Sequence, residues 1–386
     1  MFYILNRTLI IGDFLVSFCI EILKIFLIPL RVIYKNKSIN CIVVCQVLDL
    51  GDIIFTVPLI QNIRLSFPQA KIILICGSWG EELVRMLNIV DDIIVYNSLA
   101  AKNTQKITLS NIIYLIKHII VSQADIVYNV RGDFFTAVGF LLLKFLKPYT
   151  KIYNRISLTL QELLTRQLYR KKIIHQVEKN LMFLKYSKVP IKTDILQLDV
   201  YISKDVFCKF EALSKMKYIV IHLGANFSYR IWPSEYTIRF LNLLKNTLKG
   251  YRFVLTGSKK DLLNKNVFAV LNNVKDDEVI NLVGKTSIAE LVYIIKHSKL
   301  FIGPDTGALH LAVGLGIPVI GLYGPDIPEK VGPYKGKNIS TFIYKKLPCS
   351  PCRQVKCIRP QNFCVMQIQP EEVYKIAVEL LEESFG

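Results

Sequence analysis

Beyond residue 40 the chain alternates between short runs of β-branched and aliphatic residues and longer stretches with apolar positions three and four apart. That alternation is the signature of parallel strands joined by crossover helices. Runs at 41–47, 71–76, 92–96 and 125–130 predict a first series of strands, and runs at 218–223, 252–256, 279–281, 300–302 and 319–322 predict a second. Between the series, residues 189–217 contain Pro190 and few strand signals beyond a run at 196–200. The domain boundary therefore falls between 195 and 217, and we place it at 205/206. The expected organisation is an α/β chain in three parts: residues 1–38, a first domain at 39–205 and a second at 206–386. Two doubly wound sheets in succession imply a cleft between them, with ligands bound outside the carboxyl ends of the strands.

Residues 8–33 are strongly apolar, but Asp13, Glu21, Lys24 and Arg31 interrupt them. No uncharged run approaches the roughly 20 residues a spanning helix needs. Asp13, Ser17, Glu21 and Lys24 recur at helical spacing and leave Phe14, Leu15, Phe18, Ile22, Ile25 and Phe26 around the rest of the surface. So narrow a polar stripe predicts an amphipathic helix lying on a membrane, with Arg31, Lys35 and Lys37 meeting anionic headgroups. Packing against its own domain is the alternative. A charged apolar core with no cleavage pattern argues against a secretory signal peptide. The expected location is cytoplasmic, peripheral at the inner face of the cell membrane.

Composition changes this picture only in part. A chain of 386 residues, 52% of them hydrophobic, is long enough for two cores and too apolar for disorder. Lys and Arg total 49 against 30 Asp and Glu, a formal charge of +19 that draws polyanions such as anionic lipid or phosphorylated glycan. Residues 144–192 carry twelve basic residues, including Arg170, Lys171 and Lys172, against Glu162 and Glu178 alone. That stretch reads as a basic face, or more plainly as a solvated helix surface. No nucleic-acid-binding motif accompanies the charge, so nucleic acid is not an expected partner.

Among nine cysteines, Cys19, Cys41, Cys45, Cys76 and Cys208 are scattered through apolar segments, which fits a reducing compartment rather than a disulfide scaffold. Cys349, Cys352, Cys357 and Cys364 form a C-x2-C-x4-C-x6-C cluster. Four thiolates at short spacing can hold zinc, but the second pair lacks the x2 spacing, so the expectation is a thiol loop and no metal.

The most informative stretch is 300–325. An apolar strand ends at Gly303, after which Asp305 or Thr306 is placed to cap a helix whose free N–H groups near Gly307 face outward. Such a helix start is an anion site. Gly307 lets a diphosphate approach the backbone, Thr306 offers a hydroxyl, and His310 adds an N–H one turn on. Each of these residues alone would be an ordinary capped turn with a core histidine.

Together they resemble the signature of glycosyltransferase family 9, the heptosyltransferases, in which a strand is followed by a D-[ST]-G-x-x-H-L-A helix and another strand. Three further motifs match in the family's order. Residues 48–58, with Gly51 and Asp52, are similar to its first βα loop; His222 to Ala225 with Arg230, Trp232 and Pro233 are similar to the loop opening its second domain; Asn281 to Ser287 precede the diphosphate motif. The resemblance spans about residues 40–380.

The resemblance implies a GT-B fold of two Rossmann-like domains facing across a cleft, an inverting reaction and no cofactor. It further implies an ADP-heptose-like nucleotide-sugar donor and a lipid-linked or lipopolysaccharide-core acceptor. Asp52 matches the family's catalytic carboxylate, the base for the acceptor hydroxyl's proton. Its plainer role would be to cap the helix starting near Ile53. Arg230 stands where many members carry Lys, and with Asp305, Thr306, Gly307 and His310 makes the expected diphosphate site. Arg131 and Asp133, after the strand at 125–130, join Gly51 as acceptor-side candidates, although a turn with a cap is an equal reading.

Thr256 to Ser258 end a strand where the nucleoside would lie, Trp232 and Pro233 are expected to shape their loop, and His118 and His175 receive no role. Pro304 before Asp305, and Asp326 where Thr is usual, depart from the family pattern. A carboxylate near a diphosphate repels it unless turned away. The rival to an enzyme is a catalytically silent nucleotide-sugar-binding scaffold at the membrane.

Overall fold

The computed structural model describes residues 16, 19, 20, 22, 38–98, 108–154, 173–352, 357, 359 and 363–385. The chain forms two compact units, Met1–Asp194 and Ile195–Gly386. In the first, a parallel sheet in the order β3-β2-β1-β4-β5 is built from β1 (Cys41–Gln46), β2 (Lys71–Cys76), β3 (Asp92–Val95), β4 (Ile126–Arg131) and β5 (Lys151–Asn154). In the second, the parallel order is β11-β10-β9-β6-β7-β8, from β6 (Tyr218–His222), β7 (Arg252–Thr256), β8 (Val279–Asn281), β9 (Leu300–Pro304), β10 (Val319–Tyr323) and β11 (Ser340–Tyr344). Both sheets therefore reverse direction at one place, between β1 and β4 and between β6 and β9, where crossover helices leave to opposite faces and open a crevice.

The predicted strands form with ends shifted by one or two residues. β5 and β11 went unpredicted; both are edge strands, and β11 buries only Ile343. Residues 196–200 are extended but join no sheet. Leu196 N donates to Lys335 O (2.9 Å) and Leu198 N to Gly314 O (2.7 Å), two unrelated carbonyls. Gly314 makes this possible, since a Cβ there would sit 2.5 Å from the Leu198 side chain. These bonds tie the segment to the second unit, so the division lies ahead of 205/206.

The first core joins β1, β2 and β4 to the helices Leu109–Val121 and Phe134–Leu146 through Val43, Ile73, Ile75, Val127, Leu115, Ile119 and Phe140. Ile20 is buried in the same cluster at 1% exposure, so the segment expected to lie on a membrane contributes a side chain to the domain. Asp13, Ser17, Glu21, Lys24, Arg31, Lys35 and Lys37 of that segment lie outside the described residues. So do Arg170, Lys171 and Lys172.

Two members of the expected basic face point inward. Lys144 donates to Thr150 O at 2.7 Å and is 1% exposed, and Lys147 pairs with Asp125 at 2.8 Å beneath the surface. Lys144 ties the helix Phe134–Leu146 to the residue ahead of β5, and Lys147 ties the end of that helix to the residue ahead of β4, a structural use of charge that the residue count could not separate from a solvated one. The second core packs Ile219, Ile221, Phe253, Leu255, Ile302 and Ile320 against the helix Ser234–Thr247 and the terminal helix Pro370–Phe385.

Candidate active site

The first switch point is assembled by a fault in the ladder. β1 and β4 change register between Cys45 and Gln46, so Gln46 pairs with Arg131, and Val47 N donates to Arg131 O at 2.9 Å. The chain then turns through Asp49 into the short helix Leu50–Ile54, in which Gly51 and Asp52 form the first turn. Asp49 holds the N-cap position, so Asp52 is not the cap. The loop is braced from below: Thr56 Oγ1 donates to Asp52 O (2.8 Å), Gln46 Nε2 donates to Thr56 Oγ1 (3.1 Å), and Asn180 Nδ2 donates to Phe55 O (2.9 Å).

Arg131 closes the site. Burial pushes its guanidinium pKa down, and the negative charge of Asp52 is what opposes the shift. The carboxylate predicted as base and the arginine predicted on the acceptor side thus lie near enough, after neighbouring strands, for their charges to act on each other.

Asp133 has a different task. It is 2% exposed and caps the helix Phe134–Leu146, Oδ1 accepting from Thr136 N (3.1 Å) and Oδ2 from Tyr96 OH (2.8 Å) and Ser98 Oγ (2.6 Å). So occupied a carboxylate serves the fold. Gly132 between them is sterically required, because a Cβ would fall 2.3 Å from Thr136 Oγ1 and 2.4 Å from Asn129 Oδ1.

At the second switch point, β9 delivers Asp305 and Thr306 to the start of the helix Gly307–Gly314. Thr306 holds the N-cap position with extended backbone, yet its hydroxyl makes no capping bond and is buried without a hydrogen-bond partner among the described residues. Arg230, on the 3-10 turn Ser228–Arg230 after β6, reaches across. Its Nη1 donates to Asp305 O (3.0 Å) and Asp305 Oδ2 (2.9 Å), and its Nη2 donates to Asp326 Oδ2. The other Asp305 oxygen lies 3.4 Å from His310 Nε2, which is 3% exposed. Burial opposes the Arg230 charge, but Asp305 and Asp326 outweigh it and hold the guanidinium above its ordinary pKa. All five residues predicted as the donor site are together here. Asp326, flagged only as a departure, is part of the cluster.

Sequence reasoning missed the layer beneath. His222 at the end of β6 is driven down to about 4 by burial, against the pull of Asp261, and is neutral at pH 7 while its Nδ1 meets Thr256 Oγ1 at 3.0 Å. Asp261 accepts from Ser258 N (2.6 Å) and Ser258 Oγ (2.7 Å) and fills the space a Gly224 Cβ would need. Ser258 followed by Asp261 is a capping-box spacing legible in the sequence, and it marks Thr256 to Ser258 as a braced turn.

A model of glycosyltransferase family 9 (heptosyltransferase) matches residues 112–362. The chain belongs to that family. The matched span contains Arg131, Arg230 and the 305–310 motif, and begins after Asp52. Lipopolysaccharide heptosyltransferase 3 of Escherichia coli K12 is 25% identical over 77% of the chain and 87% of its own length. Lipooligosaccharide heptosyltransferase 2 of Campylobacter jejuni is 27% identical over 54% of the chain and 65% of its own length. The family 9 glycosyl transferase of Veillonella parvula shares the fold at TM-score 0.69 and 21% identity, covering 89% of this chain and 97% of that one. An E. coli heptosyltransferase solved with ADP shares it at TM-score 0.61 and 16% identity, covering 88% and 99%.

In this glycosyltransferase the four clustered cysteines line one pocket with Tyr229, Pro325, Arg359 and Phe363. Among the described residues no group of three or more His, Cys, Asp or Glu side chains is arranged to hold a metal ion. The pocket is contiguous with the site in sequence and contact: Tyr229 precedes Arg230, and Cys352 N donates to Pro325 O at 2.8 Å, one residue before Asp326. His175 caps the helix Gln176–Ser187, and Trp232 Nε1 donates to Ile368 O at 3.0 Å to seat its loop.

Proposed function

We propose that this chain is an inverting heptosyltransferase that moves a heptose-like sugar from an ADP-heptose-like donor to a lipopolysaccharide-core or other lipid-linked glycan. The observation that carries the donor assignment is the cluster at the β6/β9 switch point, where a guanidinium, a helix start and a buried hydroxyl without a hydrogen-bond partner converge. Leaving a nucleoside diphosphate builds negative charge on the β-phosphate, and these are the groups that stabilise it. Asp52 takes the acceptor hydroxyl's proton as that oxygen bonds to the anomeric carbon and the bond to the diphosphate breaks. Arg131, a half-buried cation near it, suits an acceptor carrying an acidic group.

Work at an anionic membrane surface is part of the same reading. Among the described residues no helix is long and apolar enough to cross a membrane. The neighbouring helices Leu109–Val121 and Phe134–Leu146 leave Leu109, Ile113, Val121, Phe145 and Leu146 more than half exposed. Exposed apolar stripes, in a chain that also carries an apolar and basic segment at residues 8–37, fit peripheral binding on the cytoplasmic side.

The test begins with thermal stabilisation by ADP-, GDP- and UDP-sugars, where a ligand at a hundred times its dissociation constant adds about 2.7 kcal/mol. Mass spectrometry of a heptose-deficient core glycan after incubation with ADP-heptose then reports transfer. Donor binding without a mass increase on any acceptor supports a silent scaffold and overturns the enzyme.

A further inference from the structure

Arg230 meets two carboxylates of unequal standing. Asp305 is 9% exposed at its side chain and is fixed by its neighbours, with Arg230 Nη1 on both its carbonyl and its carboxylate and His310 on the far oxygen. Asp326 is 35% exposed and sits on the loop after β10, which lies beside β9 in the sheet. Its bond falls on Nη2 alone, while Arg230 Nε on the same edge of the guanidinium is buried with no hydrogen-bond partner among the described residues. A guanidinium edge of this kind is a two-pronged donor that matches two oxygens of a phosphate. One prong is held by Asp326, and the other has no hydrogen-bond partner among the described residues.

We infer that Asp326 is a placeholder carboxylate that occupies the diphosphate's position on Arg230 in the donor-free protein and must swing away for a nucleoside diphosphate to bind. The inference rests on the reading of Arg230 as a diphosphate contact. With two carboxylates facing one guanidinium, an arriving diphosphate meets local negative charge unless one of them leaves, and Asp326 is the more exposed of the two. Exchange of one anion for another on the same cation trades bond for bond, so it weakens net nucleotide affinity and speeds release of the nucleoside diphosphate product. Asp326 is thus a positioning residue that acts through Arg230.

The test is calorimetric titration of the full-length protein with ADP and with adenosine, for the wild type, Asp326→Asn, Asp326→Thr, Arg230→Ala and the Arg230→Ala/Asp326→Asn pair. Melting curves confirm that each variant folds, and Asn serves should Thr disturb the loop. Asp326→Asn should bind ADP about tenfold more tightly, a difference of about 1.4 kcal/mol, with adenosine affinity unchanged and ADP release slowed in proportion. In the Arg230→Ala background the gain should shrink, because the exchange requires the guanidinium. Weaker ADP binding by Asp326→Asn means Asp326 holds Arg230 in place for the nucleotide and overturns the inference. An equal gain with and without Arg230 means simple charge repulsion and overturns it too. If Arg230→Ala alone leaves ADP binding untouched, the diphosphate reading itself fails and the inference falls with it.

Discussion

At the ends of β1 and β4 a carboxylate, Asp52, faces the Arg131 guanidinium, whose charge burial disfavours. At the ends of β6 and β9 a guanidinium, Arg230, faces Asp305 and Asp326, whose combined charge outweighs its burial. The topology around the two sites is the same, a strand order that reverses and leaves loops to line a crevice. The ratio of charges differs: one carboxylate acts on the guanidinium at the first site and two at the second. A cation with one carboxylate nearby suits a site that receives an anion or supports a proton acceptor; an over-compensated cation suits a site that exchanges one anion for another. Equivalent scaffolds have thus been given different electrostatics by a handful of loop residues.

The contrast breaks first if Asp52 is not the base. Asp52→Asn should lower turnover by about 10²- to 10⁴-fold while ADP affinity holds, because the amide keeps the shape but takes no proton. Near-normal kcat in a coupled ADP-release assay would remove Asp52 from the chemistry. At the second site, Arg230→Ala should weaken ADP by about thirtyfold and Thr306→Val by less, about fivefold, with adenosine unaffected. Parallel losses for adenosine in titration would point to a disturbed fold rather than to a lost diphosphate contact.

A smaller effect separates fold from site within the first unit. Asp133→Ala removes a helix cap and strands the Tyr96 and Ser98 hydroxyls, so stability should fall by about 2 kcal/mol with ADP affinity intact. A stable variant with a raised KM for acceptor would restore Asp133 to the acceptor site. The smallest effect expected concerns the surface: Ile113→Ser with Val121→Ser should cut sedimentation with anionic vesicles severalfold, at about 1 kcal/mol per side chain removed from apolar contact. Unchanged sedimentation would exclude this helix face from the membrane contact.

Most of the candidate donor site was legible because four of its five residues are adjacent in sequence. Asp305, Thr306, Gly307 and His310 lie within six residues, at a strand end and a helix start, and local spacing alone places them on one turn. The acceptor-side residues were legible as candidates but not as roles. Arg131 and Asp133 read alike as polar groups after a strand. Which of them faces Asp52 and which turns inward to cap a helix depended on Tyr96, Ser98 and Thr136 and on a register shift in the ladder.

By itself the sequence determined the alternation of strands and helices, the two series, and the diphosphate motif, since these rest on periodicity and on neighbours a few residues apart. Tertiary structure decided the rest. It buried Lys144 and Lys147, drew Ile20 into the first core, held residues 196–200 outside any sheet, and closed Asp326 onto Arg230 across 96 residues of chain. The physical reason is common to all four. Whether a charge is solvated or paired, and whether an apolar side chain faces water or a core, is fixed by groups distant in sequence, which only the packed chain brings within reach.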